Sequence, residues 1–496
     1  MLFNSFIFVL AFLPITLIGY FGINKFGKPE IAKVFLIGMS LWFYGYFRPA
    51  YLIILVVSIL INYAVYLLFT KGKAVGRKRK ALMITAVVLN LGTLGYFKYL
   101  EHVLKSLAVW TGAEMNIPEI LLPLGISFFT FQQVGFIIDA YKGETGDYRF
   151  IDYALFVSFF PQLVAGPIVS HDEMIPQFAE EGRKHINAEN MSMGITCFVI
   201  GLSKKILIAD IFAKAVDYAW LTTDLLSPVD TALAMFAYYV QIYFDFSGYS
   251  DMAIGLGKML NIDIPVNFDS PYKAVTMRDY WKRWHITITR FLTKYLYIPL
   301  GGSRKGRART YFNVLIVFLI SGIWHGAGSG YIIWGLSGGI GIILCRILEK
   351  PLDKLKSYKV TSAVLWVFNT VYLAVFWVFF KGETFANSVN FLKHLIPTAE
   401  HRAFALNKSY LLPMFQTPEL DYALKVFHVN NSGTRALILC TLYILAALAL
   451  IVFAPNCKDI MAKFKPKRWK GVVLAFMFIW CFVSLSGVST YIYYNF

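Results

Sequence analysis

Stretch after stretch of this chain is apolar over close to the ~20 residues that cross a hydrocarbon core. That recurrence limits the fold more than any single motif does. Inside a bilayer no water satisfies backbone N–H and C=O groups, so such stretches fold as helices that bond internally. The runs fall at residues 2–20, 31–46, 51–69, 81–99, 120–141, 191–212 and 231–246, and again at 312–324, 331–348, 360–380, 434–453 and 471–488. Charged residues make up 15% of the chain, against roughly 25% in a soluble domain. The expected fold is an all-α polytopic membrane protein, multi-pass, with about twelve crossings plus re-entrant pieces. Its first partner is therefore the lipid bilayer.

The charge pattern orients it. The net charge is +18, but Lys and Arg gather in short loops between apolar runs, as topology by the positive-inside rule requires. A nucleic-acid partner would need that charge on one soluble face, so none is expected. The loop Lys71–Lys80 carries six basic residues in ten and is assigned to the cytoplasm. Counting outward puts residues 25–33, 304–309, 350–359 and 458–470 on the same side. Both termini are then extracytoplasmic. The N-terminus lacks a basic stretch before its apolar run and an A-x-A cleavage site after it, and reads as a retained first helix. The five cysteines, Cys197, Cys345, Cys440, Cys457 and Cys481, are scattered. They form no CxxC pair, so neither a zinc site nor a disulfide framework is indicated.

Two segments fit simple spans poorly. Residues 156–167 are short and interrupted by Pro161 and Pro167, and residues 259–302 are long, polar and aromatic. Polar or irregular backbone at membrane depth is tolerated only against protein or a water-filled cavity, so these point to an internal cavity. Residues 383–434, placed outside, read either as a lid or docking surface or as a packed loop.

Within this frame one histidine stands out. His325 closes an apolar run and sits in Ser321-Gly322-Ile323-Trp324-His325-Gly326. An ionisable group at membrane depth is costly and marks a functional site by default. Glycines on both sides allow close approach of backbone or substrate, and a neutral imidazole can take a hydroxyl proton and return it to a leaving group. The alternative is a buried histidine bonded to a neighbouring helix. A second histidine, His285, lies in a segment where Trp281, Trp284, Ile288, Phe291 and Tyr295 recur at helical spacing. Residues 277–297 are thus expected to form one amphipathic interfacial helix. From spacing alone His285 reads equally as an interfacial polar residue. Asp245 and Asp251 flank an apolar helix and need partners if buried; Arg283 and Arg290 are candidates. The basic loop around Arg304 could hold an acidic cytosolic donor, although a purely topogenic loop explains it too. Zinc fails on ligand count, so no metal site is expected. A GxSxG elbow and a P-loop are both missing.

Taken in order, Phe159-Phe160-Pro161-Gln162-Leu163-Val164-Ala165-Gly166-Pro167, Asp245-Phe246-Ser247-Gly248-Tyr249-Ser250-Asp251, Asn267-Phe268-Asp269-Ser270-Pro271-Tyr272, Arg278-Asp279-Tyr280-Trp281-Lys282-Arg283-Trp284-His285, Tyr297-Ile298-Pro299-Leu300-Gly301-Gly302 and Ser321–Gly326 resemble the membrane-bound O-acyltransferase (MBOAT) family. The likeness is to the bacterial branch that contains the alginate O-acetylation membrane subunit. It is close over residues 121–339 and only in hydropathy elsewhere. The resemblance implies one integral-membrane acyltransferase domain over residues 1–496, a ring of tilted helices around a funnel. It implies His325 as the principal catalytic residue and His285 as the second. Trp324, Asp245, Asp251, Arg278, Arg283 and Arg304 take supporting or substrate-binding places. Such proteins hold no bound cofactor and draw on acetyl-CoA or another acyl thioester in the cytosol. They move the acyl group to a hydroxyl of a cell-surface polysaccharide such as alginate, commonly with a separate extracytoplasmic acyltransferase. Two other readings stay open: D-alanyl transfer to teichoic acid from a carrier protein, and a transporter or flippase for a polymer precursor.

Overall fold

A computed structural model of the chain describes residues 1–72, 75–114, 116–398, 405–485 and 491–492. Among these residues the secondary structure is helical, without strands. The main helices are α1 (Leu13–Lys25), α2 (Pro29–Gly45), α3 (Ala50–Thr70), α4 (Gly76–Thr111), α5 (Ile126–Lys142), α6 (Phe150–Ser158), α7 (Ala188–Lys204), α8 (Asp210–Leu221), α9 (Pro228–Met259), α10 (Met277–Arg283), α11 (Ile286–Leu292), α12 (Gly306–His325), α13 (Ser329–Ile347), α14 (Lys359–Gly382), α15 (Ser432–Phe453) and α16 (Arg468–Val483). Seven helical stretches among the described residues are long and apolar enough to cross a membrane: Phe8–Lys25, α3, α4, α12, α13, α14 and α15. The last residues, 493–496, predicted to be extracytoplasmic, lie outside the described residues, as do positions 486–488 of the run expected at 471–488.

Local chemistry explains the helix ends. Pro29 occupies the first turn of α2, where a missing N–H costs nothing. Gly112 and Gly143 end α4 and α5 in left-handed geometry, which a residue without Cβ adopts freely. Asn431 accepts the Thr434 N–H ahead of α15, a standard N-cap.

Some boundaries differ from expectation. The run expected at 120–141 becomes a helix only at Ile126, after Gly125 turns the chain at φ 73°. The run at 231–246 lies inside the longer α9. The run at 191–212 is divided between α7 and α8 by a π-helical turn, Lys205–Ala209. The single helix expected over 277–297 is instead α10, α11 and a further π turn, Thr293–Tyr297, with His285 as the break.

The chain divides into two compact units: residues 1–202, 249–267 and 463–496 form the first, and residues 203–248 and 268–462 the second. In the first, Phe3, Phe8, Phe12, Phe43 and Phe160 share ring contacts. A buried amide cluster joins α3, α4 and α5, with Asn62 donating to Asn90 at 3.1 Å and to Gln133 at 2.8 Å. Gly194 and Gly255 let α7 and the end of α9 touch: a Cβ on either would lie 2.6 Å from the other's carbonyl oxygen. In the second unit α12, α13 and α14 pack around Trp281, Trp284, Trp334 and Trp377. Asp230 accepts from Ser409 Oγ at 2.5 Å and from the Tyr410 N–H at 2.9 Å, so this part of the 383–434 segment is a packed one.

Candidate active site

The second unit contains both histidines. α12 delivers His325 as its last residue, and the delivery depends on glycine. A Cβ on Gly322 would strike the carbonyl oxygen of Tyr331 and lie 3.3 Å from Gly335 Cα. α12 and α13 therefore cross backbone to backbone one turn before the histidine. The following glycines serve the same end. A side chain on Gly326 would collide with the Tyr331 ring, and one on Gly330 would lie 2.7 Å from the Glu383 carbonyl carbon. Gly330 N–H donates to the Glu383 oxygen at 2.8 Å, fastening the turn after His325 to the end of α14. Gly322 and Gly330 thus admit backbone, and Gly326 admits a ring.

His325 is 3% exposed. Three rings stand around its imidazole: Trp324 at 4.6 Å and 65°, Trp334 at 4.8 Å and 85°, and Phe380 at 5.1 Å and 70°. Trp324 also faces the second imidazole, with its ring 6.4 Å from that of His285. One indole thus contacts both histidines.

His285 is buried, with φ 44° and ψ 54°. Left-handed geometry is uncommon for a residue with a Cβ and costs of order 1–3 kcal/mol. Its surroundings supply the constraint. Thr276 caps α10, Trp284 lies against Trp377 at 5.0 Å, and Phe246 meets the His285 ring edge-on at 4.8 Å. Helical spacing missed the break because the apolar residues keep their three- and four-residue intervals on both sides of it.

The supporting residues separate. Asp245 is buried and bound to Lys205 at 2.7 Å, and Lys205 also meets Asp210 at 2.8 Å. Arg283, one of the two arginines offered as partners for Asp245 and Asp251, instead bonds Asp279 at 2.9 Å and the Asp269 carbonyl at 3.2 Å. The reason is register: one helical turn separates Asp279 from Arg283. Asp269 in turn takes Asn456 at 2.7 Å and Lys458 at 2.6 Å, so Arg283 braces the Asn267–Tyr272 turn. Arg278 pairs with Glu349 toward the surface. Arg304 lies on an exposed loop before α12. Asp251 is a buried residue of the first unit. Sequence reasoning missed Lys205, Trp334 and Phe380. Lys205 carried a readable signal, a charge inside an apolar run. The two aromatic residues look like any core position.

A strained, buried imidazole and a second one ringed by aromatic side chains share one indole at the end of a glycine-crossed helix. A site like this can move a proton in a low-dielectric setting and place a donor group near it. Comparison with known proteins agrees with acyl-transfer chemistry. The model of the membrane-bound O-acyltransferase family matches residues 118–385. The peptidoglycan O-acetyltransferase of Helicobacter pylori is 39% identical over 422 residues, covering 80% of each chain. The probable alginate O-acetylase AlgI of Pseudomonas aeruginosa is 36% identical over 388 residues, 77% of this chain and 72% of that one. The teichoic acid D-alanyltransferase of Streptococcus thermophilus is 28% identical over 301 residues, 54% of this chain and 70% of that one.

Proposed function

The chain belongs to the membrane-bound O-acyltransferase family and is a multi-span O-acyltransferase, and from that premise we propose that it moves an acetyl group from a cytosolic thioester, acetyl-CoA in the first place, to hydroxyls of a cell-surface glycan. The observation that carries the mechanism is His325, buried at the end of α12 beside Trp324 and His285. In this reading His325 takes the proton of the acceptor hydroxyl as its oxygen attacks the thioester carbonyl. The C–O bond forms, the C–S bond breaks, and the imidazolium returns the proton to the departing sulfur. Acid–base help of this kind contributes about 10²–10⁴-fold. His285, or a backbone amide, stabilises the oxyanion.

The wider arrangement belongs to the same proposal. The whole chain acts as one acyltransferase domain with its motif core at residues 121–339. About twelve crossings surround a funnel in the inner membrane, with both termini extracytoplasmic. Transfer through the membrane spares the cell from exporting an acyl donor, and a separate extracytoplasmic acyltransferase completes delivery to the polymer. The peptidoglycan relative is the more similar of the two named acetyl-transferring proteins, 39% against 36%, which puts peptidoglycan ahead of an alginate-like acceptor. The D-alanyltransferase likeness supports a second reading, in which a charged carrier protein is the donor.

The test is the O-acetyl content of surface glycan in a null strain carrying wild type or His325→Ala at equal membrane levels. Esters restored by wild type alone are expected. Unchanged acetylation in every strain would remove the acetyl reading in favour of D-alanyl transfer. Full restoration by the variant would make His325 structural.

A further inference from the structure

We propose that Trp324, Trp334 and Phe380 form an aromatic cage that stabilises the imidazolium of His325 while it holds the acceptor's proton. The inference rests on the acyltransfer reading above, because that reaction is what charges the ring. All three ring centroids lie 4.6 to 5.1 Å from that of the imidazole, inside the ~6 Å over which a cation is attracted to a π-face. Interplanar angles of 65°, 85° and 70° are those at which a ring edge meets a ring face. Indole is the strongest of the aromatic partners for a cation, and the attraction grows when water is excluded. All four rings are buried.

The cage solves a specific electrostatic problem. A proton gained by a buried ring creates a charge that is costly to hold away from bulk water. Neutral rings stabilise such a charge only when it appears. The cage therefore acts on the transition state more than on bound substrate, which is where a contribution to kcat arises. Trp334 and Phe380 lie on α13 and α14, outside the histidine's own helix, so the fold assembles the cage around it. These residues act through His325 and are positioning residues in that sense.

Ring packing alone would give the same picture of contacts, so the test must change the π-face without changing shape. Fluorotryptophans bearing one, two or four fluorines are placed site-specifically at Trp334 in the full-length protein. Acetyl transfer from acetyl-CoA to glycan is then followed in membranes at varied acetyl-CoA. The expected result is a graded fall in kcat of about two- to threefold per step, reaching roughly tenfold at four fluorines, with KM for acetyl-CoA nearly constant. The same series at Trp469, 62% exposed on α16, is expected to be flat. Trp334→Phe, which keeps a weaker π-face, should retain more activity than Trp334→Leu. An active wild type whose kcat ignores fluorination at Trp334 would overturn the cage alone. A wild type that transfers nothing from acetyl-CoA would overturn the acetyl reading and the cage with it.

Discussion

Lys205 Nζ lies 2.7 Å from Asp245 Oδ1, and both side chains are only 2% exposed. With Asp210 at 2.8 Å on the other side, one buried cation holds two carboxylates next to a π-helical turn. Removing the cation leaves buried negative charge, the costly half of a broken pair. Lys205→Met is expected to lower stability by about 3–5 kcal/mol, and adding Asp245→Leu should recover a substantial part. Thermal unfolding in detergent of the single and double variants checks this. A double variant no more stable than Lys205→Met would sink the pairing argument.

Gly322→Ala tests the helix crossing that delivers His325. The added methyl would meet the Tyr331 carbonyl, and backbone on both sides leaves it little room to yield. Overpacking of this sort costs about 1–3 kcal/mol, and transfer activity should fall with it because the histidine lies within the next turn. Gly38→Ala is the matched control: nothing lies within 4 Å of its Cβ position, so activity and melting should stay the same or improve slightly. Equal behaviour of the two variants would be evidence against the crossing.

His285 combines a chemical and a conformational role, and substitution separates them. Asparagine tolerates left-handed geometry better than most residues, whereas a β-branched residue does not. His285→Asn should therefore fold at wild-type levels and lose much of its transfer rate, by about 10²-fold or more if the imidazole serves the oxyanion. His285→Val should lose both fold and rate. Fluorescence-detected size exclusion and acetyl transfer, measured side by side, distinguish them. A fully active asparagine variant would leave His285 with the conformational role only.

The parts of this site legible in the sequence are those where a residue is expensive. A histidine ending an apolar run has to be explained, and His325 lies at the end of α12 in the structure, buried as that cost implies. Asp245 was likewise legible as a buried charge, but the arginines offered as partners for it and Asp251 lay two motifs away, and Lys205, inside an apolar run of its own, was passed over. Tertiary pairing between the π-helical turn Lys205–Ala209 and α9 has no periodic trace, so spacing could not choose between arginine and lysine. The kink at His285 was hidden for a different reason. Helical intervals of three and four residues survive a single left-handed residue, and only the backbone shows the break. Trp334 and Phe380 carry no cost at all in an apolar helix, so nothing in their type or position distinguishes a ring around a histidine from ordinary core.

The segment after Lys408 offers a pH test at a carboxyl outside the apolar helices. Arg435, and after it Lys425, hold the Asp421 carboxyl below the usual carboxylate range, through contacts of 2.7 and 3.0 Å. Arg435 also donates to the Val429 and Asn430 carbonyls, so the pair ties the helix Pro418–Val426 to the start of α15. A depressed folded-state pKa gives stability that is fully present above the unfolded value of ~3.9 and is lost as pH falls through the folded value. Hydrogen exchange of residues 418–432, corrected for its intrinsic pH dependence, should quicken below that window in wild type. In Asp421→Asn it should already be fast at neutral pH and change little on acidification. Parallel pH curves for the two proteins would show that another group holds this segment in place.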